Sequence, residues 1–240
     1  MASPIELNSS RIHFVRHAET LFNVNGQLQG WCDAPLTVRG ERQVAALGEW
    51  MRQVPLAAAF TSDLTRTRTT MKGALAAHPS LVPTAMRELR EWHFGGWEGQ
   101  PNASLWAPIF AERGLRYTPG KADWSAMTAD GGGGVIDAIH RHDPSGRAET
   151  AEQVHGRLDV GLRVILEARS AADEAGTGDI LVVTHGSVLT SILSSLMPED
   201  RPRTGFPNCG IVTVTWRDGA GVASDTDGSC AVAEMSGAVR

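Results

Sequence analysis

The run Arg11-Ile12-His13-Phe14-Val15 stops at Arg16-His17, and Ala18-Glu19-Thr20 follows. The apolar, β-branched part predicts a strand, and the small and polar residues after it can open a helix. A cation and an imidazole therefore stand side by side at the C-terminal end of a central strand. In open α/β sheets, ligands bind in the crevice outside those ends. Three other stretches repeat the layout of a β-rich run ending in polar residues. They are Phe60-Thr61-Ser62-Asp63 with Arg66 and Arg68 beyond, Leu89-Arg90-Glu91, and Val182-Val183-Thr184-His185-Gly186. With the first, second and fourth of the four stretches in chain order as parallel neighbours, one crevice gathers two histidines, two arginines and a glutamate. Such a set suits phosphoryl transfer, which needs fixed cations around a dianion, an in-line nucleophile and a proton donor for the leaving oxygen.

The rest of the chain fits an α/β protein. Residues 20–36 read as loop with one helical turn. Thr37 is a plausible N-cap for an amphipathic helix through Met51. A strand is expected over 57–61, a helix over 64–77 and a short strand over 81–84. The stretch 100–148 is broken by Pro101, Pro108, Pro119, Pro144 and the glycines 131–134. It predicts short helical pieces (105–113 and 135–140) in an insertion that covers the site. A long helix over 149–172, a buried strand over 180–184, a helix over 188–196 and strands over 211–216 and 231–235 complete the pattern. Strand–helix alternation of this kind predicts a three-layer α/β/α sandwich with a mostly parallel central sheet. One domain spanning 1–240 is expected, with 100–148 as a cap-like insertion.

Composition narrows the partners. The net charge of −5 argues against general nucleic-acid binding, which needs a basic footprint, but leaves room for a local anion pocket. No apolar run approaches the ~20 residues that cross a bilayer, so no membrane partner is expected. The opening Met1-Ala2-Ser3 lacks the basic and apolar regions of a secretory signal. Cys32, Cys209 and Cys230 are odd in number and far apart, which fits a reduced, cytoplasmic setting better than disulfides or zinc.

Several blocks in order resemble the histidine phosphatase superfamily, the fold shared by cofactor-dependent phosphoglycerate mutases and many phosphatases. They are Arg16-His17-Ala18-Glu19-Thr20, Asn23, the run from Gln29 to Thr37 with Gly40, Thr61-Ser62-Asp63-Leu64-Thr65-Arg66, Leu89-Arg90-Glu91 with Gly95 and Trp97-Glu98-Gly99, and Val183-Thr184-His185-Gly186. The resemblance runs to about residue 190 and skips 100–148. It implies that His17 attacks phosphorus and becomes phosphohistidine. It further implies that Arg16, Arg66 and His185 bind phosphoryl oxygens and that Asn23 adds a hydrogen bond. Glu91 would protonate the departing alcohol and then deprotonate the attacking water. It implies neither a metal nor a cofactor.

Physical chemistry supports these roles. A neutral imidazole is a competent nucleophile near pH 7 when its other nitrogen is tied to a carbonyl. Arginine's planar fork binds oxygens bidentately and keeps its charge. Glu91 must have a raised pKa to act as an acid, through burial beside Trp92 or Phe94 or through the incoming phosphate dianion. His185 would serve best as a cation. Ala18 stands where the family usually has glycine, which a negative φ would permit.

Plainer readings stand beside these. Glu19, Asp63, Glu88 and Glu98 compete with Glu91 for the acid. Arg90 and His93 read as rim or packing, and Arg68 as a substrate contact or a solvated side chain. The cluster His140-Arg141-His142-Asp143 reads as solvated loop rather than a metal site. Residues 131–134 read as flexible chain and a candidate lid hinge, not a phosphate loop, because no Lys-Ser/Thr follows. Trp50, Trp106 and Trp124 read as packing. Arg113, Arg116, Tyr117 and Lys121 are the candidates to choose the substrate. The expected activity is a metal-independent phosphomonoester hydrolase acting on a small phosphorylated metabolite. A cofactor-dependent phosphoglycerate mutase and an inactive phospho-ligand-binding relative are the alternatives. The insertion lacks the clustered Arg-Arg-Ser-Tyr and proline run typical of the mutases, which weakens that reading. A homodimer is compatible with such a fold but is not read from the sequence.

Overall fold

The computed structural model describes residues 9–127, 132–197, 205–217 and 220–224. Among the described residues six strands form one sheet. They are β1 (Ile12–Arg16), β2 (Leu56–Ser62), β3 (Thr84–Met86), β4 (Asp179–Thr184), β5 (Ile211–Arg217) and β6 (Ala220–Ser224). β1 pairs in parallel with β4, from Ile12 opposite Ile180 to Arg16 opposite Thr184. β4 pairs in parallel with β2, and β2 with β3. β5 runs antiparallel to β1, and β6 antiparallel to β5.

The central strands are apolar on both faces because helices cover both. Ile12, Phe14, Ile180 and Val182 join one buried cluster, and Val15, Leu181 and Val183 join the other. This is the two-residue period of a strand sorted into two cores. Helices α2 (Val38–Met51) and α3 (Thr65–Ala74) fill one side with Leu47, Met51 and Met71. Helices α7 (Ala151–Ala175) and α8 (Gly186–Leu196) fill the other with Val154, Ile165, Val188 and Leu189. A one-turn helix α1 (Leu21–Asn25) follows β1, with Thr20 and Asn23 forming a capping box. The 100–148 stretch holds α4 (Asn102–Glu112), α5 (Trp124–Met127) and α6 (Gly133–His142), and its apolar residues extend the first core.

Most expected elements fall where the pattern placed them. Thr37 caps α2 by accepting the Gly40 N–H. The third strand lies later than expected, because Pro79 and Pro83 lack an N–H and the ladder with β2 starts only at Thr84. The expected strand over 231–235 lies outside the described residues. β6 was not foreseen, since Ala-Gly-Val-Ala-Ser has little β-branched character. Gly132 to Gly134 are not loose chain: Gly132 sits at φ +91 and starts α6. Ala18 has an ordinary backbone, since Cys209 at φ +57 is the one non-glycine residue with positive φ among those described. Its methyl is fully buried in the second core.

Candidate functional site

Because β1 and β4 are adjacent and parallel, the residues just beyond their C-terminal ends meet. The His17 N–H donates to the Thr184 carbonyl, continuing the ladder by one rung. The rings of His17 and His185 lie 5.3 Å apart, edge to face. Both are buried. His17 Nδ1 is 2.8 Å from the Ala18 carbonyl. A carbonyl only accepts, so Nδ1 carries the proton and Nε2 presents a lone pair. Burial, then the charges of Arg66 and Arg16, hold the His17 pKa well below its ordinary value. The ring is therefore neutral and ready to act as a nucleophile.

Glu91 reaches the same place from the turn that follows β3. It is buried, with Oε1 accepting from the Trp92 and Val188 amides and Oε2 from the Ser187 amide. Two of these amides open α8, so the carboxyl sits on a helix N-terminus. Burial nevertheless wins over these hydrogen bonds and over Arg66 and Arg16, and its pKa is raised. That is the direction a proton donor needs. Three of the four competing carboxylates are committed elsewhere. Glu98 accepts from the amides of Gly30, Trp31, Cys32 and Phe94. Asp63 holds Arg90 through both oxygens, and Glu19 binds Thr37 and Arg39.

Three of the predicted side chains carry buried nitrogens with no hydrogen-bond partner: Arg16 Nε, Arg66 Nε, and both nitrogens of His185. Gln29 Nε2 is a fourth such group, with its Oε1 occupied by the Thr20 hydroxyl. A buried donor without an acceptor costs about 1–3 kcal/mol, so a cluster of them has the chemistry to receive an oxyanion. Arg16, His17, Asn23, Gln29 and Glu91 all line a cleft of ≈ 270 Å³. Arg16 is anchored there by Nη1 donating to the Phe206 carbonyl.

Two expectations need correction. Arg66 does not offer its fork to the cleft. Its Nη1 donates to the Cys32 carbonyl and Asp33, and its Nη2 to the Gln29 and Gly30 carbonyls. It stands behind the cleft as a fixed charge with only Nε left over. His185 is not a cation in these surroundings, because burial and then Arg66, His17, Arg157 and Arg16 push its pKa well below normal. A phosphoryl dianion would oppose that shift. Asn23 lines the cleft, but its Oδ1 accepts the Thr20 amide and the Asn208 side chain.

The outer wall differs from expectation too. Asn102, Trp106, Trp124 and Val135 from the 100–148 stretch line the cleft with Trp92, Phe94 and Phe206. Trp124 packs edge-on to Trp106 at 4.9 Å. Arg113, Arg116, Tyr117 and Lys121 do not line it; Arg113 donates to the Met127 carbonyl and Tyr117 packs on Phe110. Arg68 is exposed on another face, while Arg90 and His93 flank Trp31 as packing. His140 and His142 bind the Ala148 carbonyl and Glu112, and Asp143 is not solvated but buried, accepting the amides of Gly96, Ser145, Arg147 and Ala148. Among the described residues no cluster suited to a metal ion occurs. Asn208, whose Nδ2 donates to the His17 carbonyl, lies outside every motif, so no sequence signal marks it.

Fold and site together define an α/β protein that gathers two histidines and an arginine at the ends of its parallel strands. The chain belongs to the histidine phosphatase superfamily (branch 1), whose family model matches residues 12–226. It is 31% identical over 218 residues to a probable phosphoglycerate mutase GpmB of Yersinia enterocolitica, covering 89% of this chain and 88% of that one. The structure of a phosphoglycerate mutase from Bacillus anthracis matches with a TM-score of 0.79 at 25% identity, over 96% of this chain and 99% of the other. The alpha-ribazole phosphatase from Shigella flexneri shares the fold, with a TM-score of 0.63 at 21% identity over 90% and 95% of the two chains.

Proposed function

We propose that the protein is a phosphomonoester hydrolase that works through a phosphohistidine on a small phosphorylated metabolite with a neutral, largely apolar body. His17 Nε2 attacks phosphorus, the bond from phosphorus to the ester oxygen breaks, and Glu91 gives its proton to the departing alkoxide. Water then attacks the phosphohistidine, Glu91 takes its proton, the P–N bond breaks, and inorganic phosphate leaves. Arg16, Arg66 Nε, Gln29 and His185 offer the donors that meet the phosphoryl oxygens, so charge is neutralised by the chain's own side chains.

The observation that carries hydrolysis over transfer is the outer wall. Among the described residues lining the cleft, Arg16 is the single cation, and the far side is Trp92, Phe94, Trp106, Trp124 and Val135. A mutase acting on a phosphorylated carboxylate wants a second cation there; an aromatic wall suits an uncharged alcohol. The similarity to relatives named as phosphoglycerate mutases favours the second reading, in which the phosphoenzyme hands its group to another hydroxyl. Incubation in EDTA with p-nitrophenyl phosphate, and separately with 3-phosphoglycerate plus 2,3-bisphosphoglycerate, separates the two. Phosphate release without isomerisation is expected. Isomerisation would establish the mutase, and neither activity would leave a binding protein.

A further inference from the structure

The turn that presents Glu91 exposes four successive carbonyls to the interior, and each meets a named donor. The Leu89 carbonyl accepts the Thr184 hydroxyl at 2.8 Å. The other three converge on one guanidinium. Arg157, on α7, donates through Nη1 to the Glu88 and Arg90 carbonyls at 2.8 and 2.6 Å, and through Nη2 to the Glu91 carbonyl at 2.9 Å. Its two remaining N–H groups go to Glu149, from Nε to Oε1 at 2.7 Å and from Nη2 to Oε2 at 2.8 Å. All five donors of the fork are used. Both side chains are nearly buried, at 13% and 12% exposure. Glu149 also accepts the His93 amide, and its own amide donates to the His93 carbonyl. Trp31 Nε1 adds a second donor to the Glu91 carbonyl.

We propose that Arg157, held by Glu149, is a positioning residue for Glu91: it fixes the backbone from which the acid reaches the leaving oxygen. The inference rests on the reading of Glu91 as the proton donor. Its physical basis is geometric. A carboxyl that must protonate an oxygen in the transition state works only within hydrogen-bond reach, and small misplacements are expensive in rate. The side chain of Glu91 is tied to α8 and its main chain to α7, so the two helices register the acid from opposite ends. Glu149 stands where the 100–148 stretch rejoins α7. The same ion pair therefore ties the wall that meets the alcohol to the group that protonates it. Lysine at 157 would keep the charge but has no planar fork to span three carbonyls.

The test compares kcat/KM for an alkyl phosphate and for p-nitrophenyl phosphate, because this ratio reads only the steps up to departure of the alcohol. Arg157→Lys retains the charge near His185 while breaking the fork. It should lower kcat/KM for the alkyl ester by about 10- to 100-fold and for the nitrophenyl ester by less than about 3-fold, since nitrophenolate needs little protonation. Inhibition by vanadate, which reports the phosphate end, should stay within about 2-fold. In a Glu91→Gln background Arg157→Lys should add almost nothing, the non-additivity of residues acting as a unit. Glu149→Gln leaves the three carbonyl contacts in place and should show the same selectivity more weakly; it carries the test should Arg157→Lys not fold. Equal losses on both esters, or full additivity with Glu91→Gln, would overturn the positioning role alone. A Glu91→Gln enzyme indifferent to the leaving group would overturn the acid reading, and the positioning role with it.

Discussion

The sheet carries two buried polar clusters, and they are opposites. Near the start of β4, Asp179 accepts the amide and side chain of Arg11 and Nε2 of His13, while His13 Nδ1 pairs with the Thr213 hydroxyl. Burial alone would raise the Asp179 pKa, but the hydrogen bonds from His13 and Arg11 outweigh it and hold the carboxylate low. Beyond the other end of the same strands, His185 has no hydrogen-bond partner on either nitrogen, and Arg16 and Arg66 each keep an open Nε. Each cluster places a histidine beside β4, His13 on β1 and His17 just past its end, four residues apart in sequence. One is closed and serves stability. The other keeps donors with no partner inside the protein, as a candidate binding site would.

The contrast is broken most severely at His17. His17→Ala should abolish turnover by on the order of 10⁵-fold or more and remove the acid-labile phosphoenzyme, with thermal stability kept or raised. Rapid-quench labelling with radioactive phosphomonoester and a melting curve read both halves; retained phosphoenzyme would end the mechanism. Next in size is Glu91→Gln, expected to cost about 10²–10⁴ in kcat/KM on an alkyl ester and clearly less on p-nitrophenyl phosphate. A uniform loss would point to another acid.

The mirror-image change is His13→Ala. It leaves Asp179 short of a partner and should cost about 2–4 kcal/mol of stability by urea titration, with kcat near that of the wild type. A large kcat defect at unchanged stability would join the two clusters functionally. A smaller effect separates them by pH. His17 and His185 have pKa values below those of the unfolded chain, so the unfolded state binds more protons below about pH 6.5 and stability falls as pH drops through that point. His17→Asn removes part of this term, so the fall in melting temperature between pH 8 and pH 5.5 should be shallower than in the wild type; an equal or steeper fall contradicts the assignment. The smallest change concerns the wall. Trp124→Ala should raise KM for an aryl phosphate by a few-fold and leave kcat almost alone, whereas an equal loss in kcat would mean that the wall also orients the ester.

Much of this was legible before any coordinates. β1, β2 and β4 read as apolar runs and pair in parallel, so Arg16, His17 and His185 meet at the ends of β1 and β4, and the turn after β3 brings in Glu91. What escaped reading depended on register between distant elements. Nothing in the sequence of α7 tells that Arg157 aims at three carbonyls rather than at water, since its amphipathic spacing only marks a helix. Arg66 matches its motif, yet its fork is taken by the carbonyls of residues 29, 30 and 32, and carbonyl direction has no sequence signature. In the 100–148 stretch the charged residues are the sequence-level candidates for substrate contact, because charges suggest anion binding. The cleft took its tryptophans instead, which a composition argument assigns to packing and which here do both.

The order of the strands has a consequence for how the chain is born. β1 lies in the middle of the sheet, and both its neighbours, β4 and β5, come from the far part of the sequence. On the ribosome, β2, β3, α2 and α3 can associate as they emerge, while Ile12 to Val15 must wait, unpaired and apolar, until residues 179–184 arrive. A waiting strand of that kind is sticky, and such intermediates are where aggregation and chaperone dependence arise. His17 directly follows that strand, so the candidate site takes shape only as the last central rung closes.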